Sequence, residues 1–180
     1  MPVDLNKLTP EFSAKASQLL QQCKNNNGIV MHPNEGLRDP FKQARYWRQS
    51  RPTSEIQAKI AELKAQGAPF LAHCIDSVGP QHGPHVTNAI PGLSWHQWGE
   101  ALDCFWLVDG QAEWSTTRLV NGVNGFHIYA NVAPDLGLTA GGLWPNFKDW
   151  PHVQLNEESS PLGKFTLQQI DEVMRNMFGD

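Results

Sequence analysis

The stretch Val86–Asp103, VTNAIPGLSWHQWGEALD, decides how the rest of the chain is read. Within it Ser94, His96, Gly99, Ala101 and Asp103 fall in the spacing S-x-H-x-x-G-x-A-x-D, and the chain runs on as ALDCFWLV, an apolar segment with the character of a strand. Under period-two alternation Asp103 shares a strand face with Ala101, Phe105 and Leu107. An ionised carboxyl buried without a partner is so costly that such a group is normally paired, protonated or bound to a metal. His96, seven residues earlier and across a glycine, is a natural second ligand.

Outward from this stretch, composition sets the bounds. The chain has 180 residues, enough for one domain with a substantial core, and we expect a single domain over residues 1–180. Fourteen Lys and Arg against 18 Asp and Glu give a net charge of −4, which points away from nucleic acid and anionic membranes as partners. Cys23, Cys74 and Cys104 lack metal-knuckle spacing and are read as reduced thiols. No window approaches the ~20 apolar residues of a membrane span, so no membrane insertion is expected. The N-terminal MPVDLNKLTPEF has neither a basic n-region nor an apolar h-region, so the chain is expected to be made in the cytoplasm without a signal peptide.

Periodicity predicts a helix from Thr9 to Asn26, with Pro10 at its first position, then a strand in GIVMHP. Asp39 and Pro40 start a second helix that leaves Arg38 just outside its N-terminus, and Thr53 or Ser54 starts a third, stopped at Gly67. Residues 67–92 hold four prolines and four glycines and read mainly as loop, with His82 and His85 solvated. Asp109-Gly110 marks a hairpin. Apolar residues at Leu119, Val120, Val123, Phe126, Ile128 and Tyr129 suggest a helix across that region. His152 to Leu155 alternates as a strand, and Thr166 to Met177 is a helix opened by a capping box of Thr166 and Gln169. Trp47, Trp106 and Trp114 are assigned to the core or its edges. The sum is an α+β domain with a small, mainly antiparallel sheet, helices packed on one side and a zinc cleft.

A catalytic zinc site takes three protein ligands and keeps a fourth position open. His96 and Asp103 supply two. His152, which opens an apolar strand after Pro151, is chosen as the third, and Asp149 three residues before it brings a carboxylate close to any metal His152 binds. Asp149 is therefore the candidate general base, and Arg38 the candidate for stabilising a developing oxyanion.

These residues resemble the zinc D-alanyl-D-alanine carboxypeptidase and L-alanyl-D-glutamate endopeptidase family, which includes phage endolysins. Thr87, Ala89, Gly92, Ser94, His96, Gly99, Ala101 and Asp103 match its T-x-A-x-x-G-x-S-x-H-x-x-G-x-A-x-D segment. Gly141, Gly142, Trp144, Asp149, Pro151 and His152 match its late G-G-x-W and D-x-P-H. The resemblance implies that His96, Asp103 and His152 bind Zn2+, that Asp149 is the base, and that Arg38 with Gln43 helps hold the substrate carbonyl. Ser94 would assist substrate positioning, and Thr87 with the loop before it would set which peptide is cut. One departure stands out: the family commonly continues after the last ligand with an aromatic residue and a glutamate, where this chain has Val153 and Gln154.

The activity implied by the resemblance is zinc-dependent cleavage of a peptidoglycan stem peptide, at L-alanyl-D-glutamate, by a monomer that acts on the wall after release in phage lysis or during wall turnover. A D-alanyl-D-alanine carboxypeptidase is the nearest alternative. A module that holds zinc without cutting, as in the related hedgehog signalling domain, is an alternative of another class.

Overall fold

The computed structural model describes residues 3–179. In chain order these form α1 (Pro10–Asn27), β1 (Val30–Glu35), α2 (Pro40–Arg48), α3 (Thr53–Ala65), α4 (Pro69–Ser77), β2 (Ala101–Val108), β3 (Gln111–Glu113), α5 (Gly125–Val132), β4 (Thr139–Ala140), β5 (His152–Gln154) and α6 (Leu167–Phe178), with short 3-10 turns between them. The class is α+β, with an open antiparallel sheet in the order β1-β2-β5-β4 and β3 paired to β2. No helix among the described residues is long and apolar enough to cross a membrane. The described residues divide into two compact units, residues 3–37 with 99–157 and residues 38–98 with 158–179.

The first unit holds the whole sheet. β2 is its central strand, with Pro33 opposite Cys104, Glu35 opposite Asp103, and Asp103 opposite His152. Alternation along β2 sends Leu102, Cys104 and Trp106 into a core shared with Phe12, Ala16, Leu19 and Cys23 of α1 and Phe126, Tyr129 and Ala130 of α5. Helices thus cover one face. Asp103, Phe105 and Leu107 lie on the other, less buried face, so the side of β2 that carries the carboxylate is not the core side. Asp109 and Gly110, at φ 50° and 78°, make the tight hairpin between β2 and β3 that their sequence signals.

The segment before α5 departs from expectation. Asn121 and Gly122 adopt φ 52° and 82°, and Val120 and Val123 exchange backbone hydrogen bonds of 2.8 and 3.1 Å across them. That is a second tight turn, on Asn-Gly, which breaks the apolar periodicity; the helix begins only at Gly125, capped by the Asn124 side chain, and Leu119 is 63% exposed. Trp114, expected in the core or at its edges, is 51% exposed, whereas Trp106 is buried.

The second unit packs α2, α3, α4 and α6 around Trp47, Ile56, Ile60, Leu63, Leu71, Ile75, Ile170 and Met174. Within it α4 replaces loop in the proline-rich region. Ala68 at its N-cap has no side chain that can cap, and the orphan amide of Leu71 is satisfied instead by the Asp171 carboxylate of α6 at 2.9 Å. At the other end the buried Arg48 of α2 donates to the carbonyl of Ile75 at 2.8 Å. Both caps come from distant residues. His82 and His85 lie in the exposed loop that follows. The capping box of Thr166 and Gln169 forms as its sequence signals.

All three cysteines are free and buried, Cys23 and Cys104 in the first core and Cys74 in the second. Burial pushes the Cys23 thiol up to about 11 and those of Cys74 and Cys104 up to about 12.

Candidate metal centre

β2 and β5 place two of the three candidate ligands side by side. The register that sets Asp103 opposite His152 brings Asp103 Oδ1 to 2.9 Å from His152 Nδ1. His152 is 7% exposed, and its other ring nitrogen, Nε2, faces Gln154 Oε1 at 3.0 Å. Burial works against an imidazolium here, but the hydrogen bond and charge of Asp103, with Asp149 and Gln154 adding to them, lift the His152 pKa above its ordinary value. Trp144 tilts against the His152 ring, centroids 5.4 Å apart, and walls that side.

His96 rides on the 3-10 turn Trp95–Trp98 and is 3% exposed. Ser94 Oγ accepts from the His96 backbone N–H at 3.4 Å, and the His96 carbonyl accepts from the Arg38 N–H at 3.1 Å. Gly99, at φ 69°, then turns the chain toward β2. A side chain there would press on the Lys7 carbonyl and the Thr9 amide, both 3.3 Å from the added carbon, which accounts for the glycine between the two ligands.

His96, Asp103 and His152 each offer one ligand atom, and these atoms lie within 4.8 Å of one another. Donors held 2.0–2.2 Å from one tetrahedral ion sit roughly 3.5 Å apart, a spacing of the same order. Two imidazoles and one carboxylate form a ligand set typical of catalytic zinc. Among the described residues this is the one such group, and His82 and His85 form none.

Asp149 stands on the turn that leads into β5. Its carbonyl accepts from the His152 N–H at 3.2 Å and its own N–H donates to the Gly141 carbonyl at 3.1 Å. A side chain on Gly141 would collide with the Asp149 carbonyl oxygen, and one on Gly142 with the Trp150 ring. The Gly-Gly pair is thus the seat on which the Asp149 turn rests. Gly141→Ala is expected to displace that turn while β2 and α1 keep the fold, and, with Asp149 as the candidate base, to lower turnover about 10-fold or more, since misplacing such a group by an ångström costs on the order of 10² in rate. Steady-state kinetics beside far-UV dichroism checks this.

In the second unit Arg38 precedes α2, whose N-cap is Asp39. Its guanidinium donates to Gln43 Oε1 at 2.8 Å and stacks over Tyr46 at 5.3 Å. Gln43 is fully buried, its Nε2 donating to the Ala89 carbonyl at 2.8 Å. It therefore has no surface to present to a substrate, and what it does in the fold is aim Arg38. Thr87 is half-buried; its Oγ1 accepts from the Ala89 N–H at 3.1 Å, and its carbonyl accepts from Arg51 at 3.2 Å.

Gln97, Asn156 and Glu100 were not singled out by the sequence, and Gln154 entered only as a departure from the family's pattern. Gln97, fully buried, donates to Gln43 Oε1 at 3.2 Å and accepts from the Ser94 N–H. Amides carry no periodic signature, so only the position of Gln154, two residues past a ligand, gave a hint.

Residues 87–155 match the family model described as D-alanyl-D-alanine carboxypeptidase. No curated protein matches the chain. Among solved structures, the chain is similar to the L-Ala D-Glu endopeptidase ChiX of Serratia marcescens, at 16% identity and a TM-score of 0.44 over 84% of this chain and 83% of that one. It is also similar to the vancomycin-resistance D,D-pentapeptidase VanY from the VanB-type cassette, solved as a variant with Zn(II), at 15% identity and a TM-score of 0.45 over 93% of this chain and 78% of that one. The segment that the family model matches, residues 87–155, is the one that carries His96, Asp103, Asp149 and His152, so the likeness falls on the candidate metal centre.

Proposed function

We propose that this protein is an L-alanyl-D-glutamate endopeptidase that cuts the stem peptide of peptidoglycan. The observation that supports zinc-dependent hydrolysis is the convergence of His96, Asp103 and His152 on one set of metal-donor atoms, with Asp149 on the turn just before the last of them. Zinc held by those three residues supplies Lewis acidity and lowers the pKa of a water from about 15.7 to ~7. Asp149 takes the proton as water attacks the scissile carbonyl. It then returns the proton to the leaving amine. Arg38, held by Gln43 and Tyr46, donates to the carbonyl oxygen as negative charge builds there. Ser94 and Thr87 line the peptide's approach and orient it. The substrate lies in the cell wall, and the protein works there as a monomer.

A second reading, removal of the terminal D-alanine, is favoured by the description of the family model that residues 87–155 match. Mass analysis of purified peptidoglycan after digestion separates the two. New D-glutamate amino termini are the expected product; free D-alanine with no new D-glutamate amine assigns the carboxypeptidase, and intact peptide with zinc bound leaves the non-cutting module.

A further inference from the structure

We infer that Gln154 is the positioning residue that decides which nitrogen of His152 meets the metal, an assignment that rests on the zinc reading of the site. Gln154 follows His152 by two residues on β5, so both side chains leave the same face of the strand, and Gln154 is 1% exposed. Its amide has two ends, and the surroundings leave no choice about which points where. The Gln154 amide nitrogen lies 2.7 Å from the backbone carbonyl oxygen of Asn156. A carbonyl oxygen only accepts, so the NH2 end must face it, and the oxygen end must face the imidazole.

That fixes the ring. Gln154 Oε1 sits 3.0 Å from His152 Nε2 and can only accept, so Nε2 keeps a proton. Nδ1, on the side of Asp103 Oδ1 at 2.9 Å, is left as the nitrogen whose lone pair is available to a metal shared with Asp103. The acceptor is itself held. Asn156 Nδ2 donates to Glu100 Oε2 at 2.6 Å, and the Leu155 N–H donates to the Glu100 carbonyl at 2.9 Å, so the residues beyond β5 are tied to the residue just before β2. A relay of His152, Gln154, Asn156 and Glu100 therefore ties the ligand's orientation to the same strand that supplies Asp103.

The test compares zinc affinity, measured by competition with a chromogenic chelator, in the wild type, Gln154→Met and Gln154→Glu. Gln154→Met fills the same space without an acceptor and is expected to bind zinc 10- to 100-fold more weakly, the range typical of a lost outer-shell partner. Gln154→Glu keeps an acceptor and is expected to stay within a few-fold of the wild type. A role in packing alone would lower both alike, and that result, or wild-type affinity in Gln154→Met, overturns the proposal. A measurement on the wild type needs no variant to fold: nitrogen-15 spectra of the zinc-loaded protein should show His152 carrying its proton on Nε2, and a proton on Nδ1 overturns the assignment. A wild type that binds no zinc overturns the zinc reading, and the assignment of Gln154 with it. Zinc bound by an inactive protein leaves the role of Gln154 standing and removes only the peptidase.

Discussion

Asp103→Ala is expected to lose bound zinc and to cut hydrolysis of purified peptidoglycan by about 10³-fold or more, because the metal's several kcal/mol of transition-state stabilisation disappear with it. Of the three proposed ligands Asp103 is the one to change. His96 and His152 are 3% and 7% exposed, and their removal would open the interior, whereas the Asp103 side chain is 21% exposed on the outer face of β2 and can be truncated with its strand intact. Two imidazoles then remain, one fewer than the three protein ligands a catalytic zinc normally keeps. Chelation of the wild type should reproduce the loss, and added zinc should reverse the chelation but not the substitution. Metal analysis and turnover read side by side make the comparison. Chelated protein that still cuts at full rate would falsify the zinc mechanism.

Asp149→Ala is expected to lower kcat by about 10²–10⁴, the usual contribution of a positioned general base, while zinc content stays at the wild-type level. The separation of the two readouts comes from the geometry. Asp149 lies outside the set of donor atoms formed by His96, Asp103 and His152, and its backbone, not its side chain, makes the hydrogen bonds to Gly141 and His152 that shape the turn. The alanine variant keeps those backbone hydrogen bonds while it loses the carboxylate. Turnover within a few-fold of the wild type would assign the proton transfer to another group. Full loss of zinc would make Asp149 a ligand.

The clustering of His96, Asp103 and His152 was legible in the sequence because spacing and residue type were both restricted. Seven residues across a glycine tie His96 to Asp103, and a strand that opens on His152 can pair with the strand that carries Asp103. The α+β class and the antiparallel sheet came from the same patterns. What the sequence hid is held together by residues far apart in the chain. α4 begins at a proline and has no cap of its own, and its N-terminus is completed by Asp171, 100 residues later. Its apolar spacing at Phe70, Leu71, Cys74 and Ile75 was present, but the prolines and glycines around it spoke louder. The helix expected across Leu119–Val123 failed for the opposite reason. A local signal, Asn121-Gly122, outweighed a periodic one. The buried amides of Gln43 and Gln97 meet across 54 residues, a distance over which no pattern of residue types could announce them.

The three buried thiols give the protein an internal gauge of its own breathing. A thiol held near 11 or 12 and shut away from solvent offers almost no thiolate at neutral pH, so an alkylating reagent reaches it only when the surrounding core opens. Cys74 lies in one core and Cys23 with Cys104 in the other. The rate at which each is alkylated therefore times the opening of each unit separately, without any label being introduced.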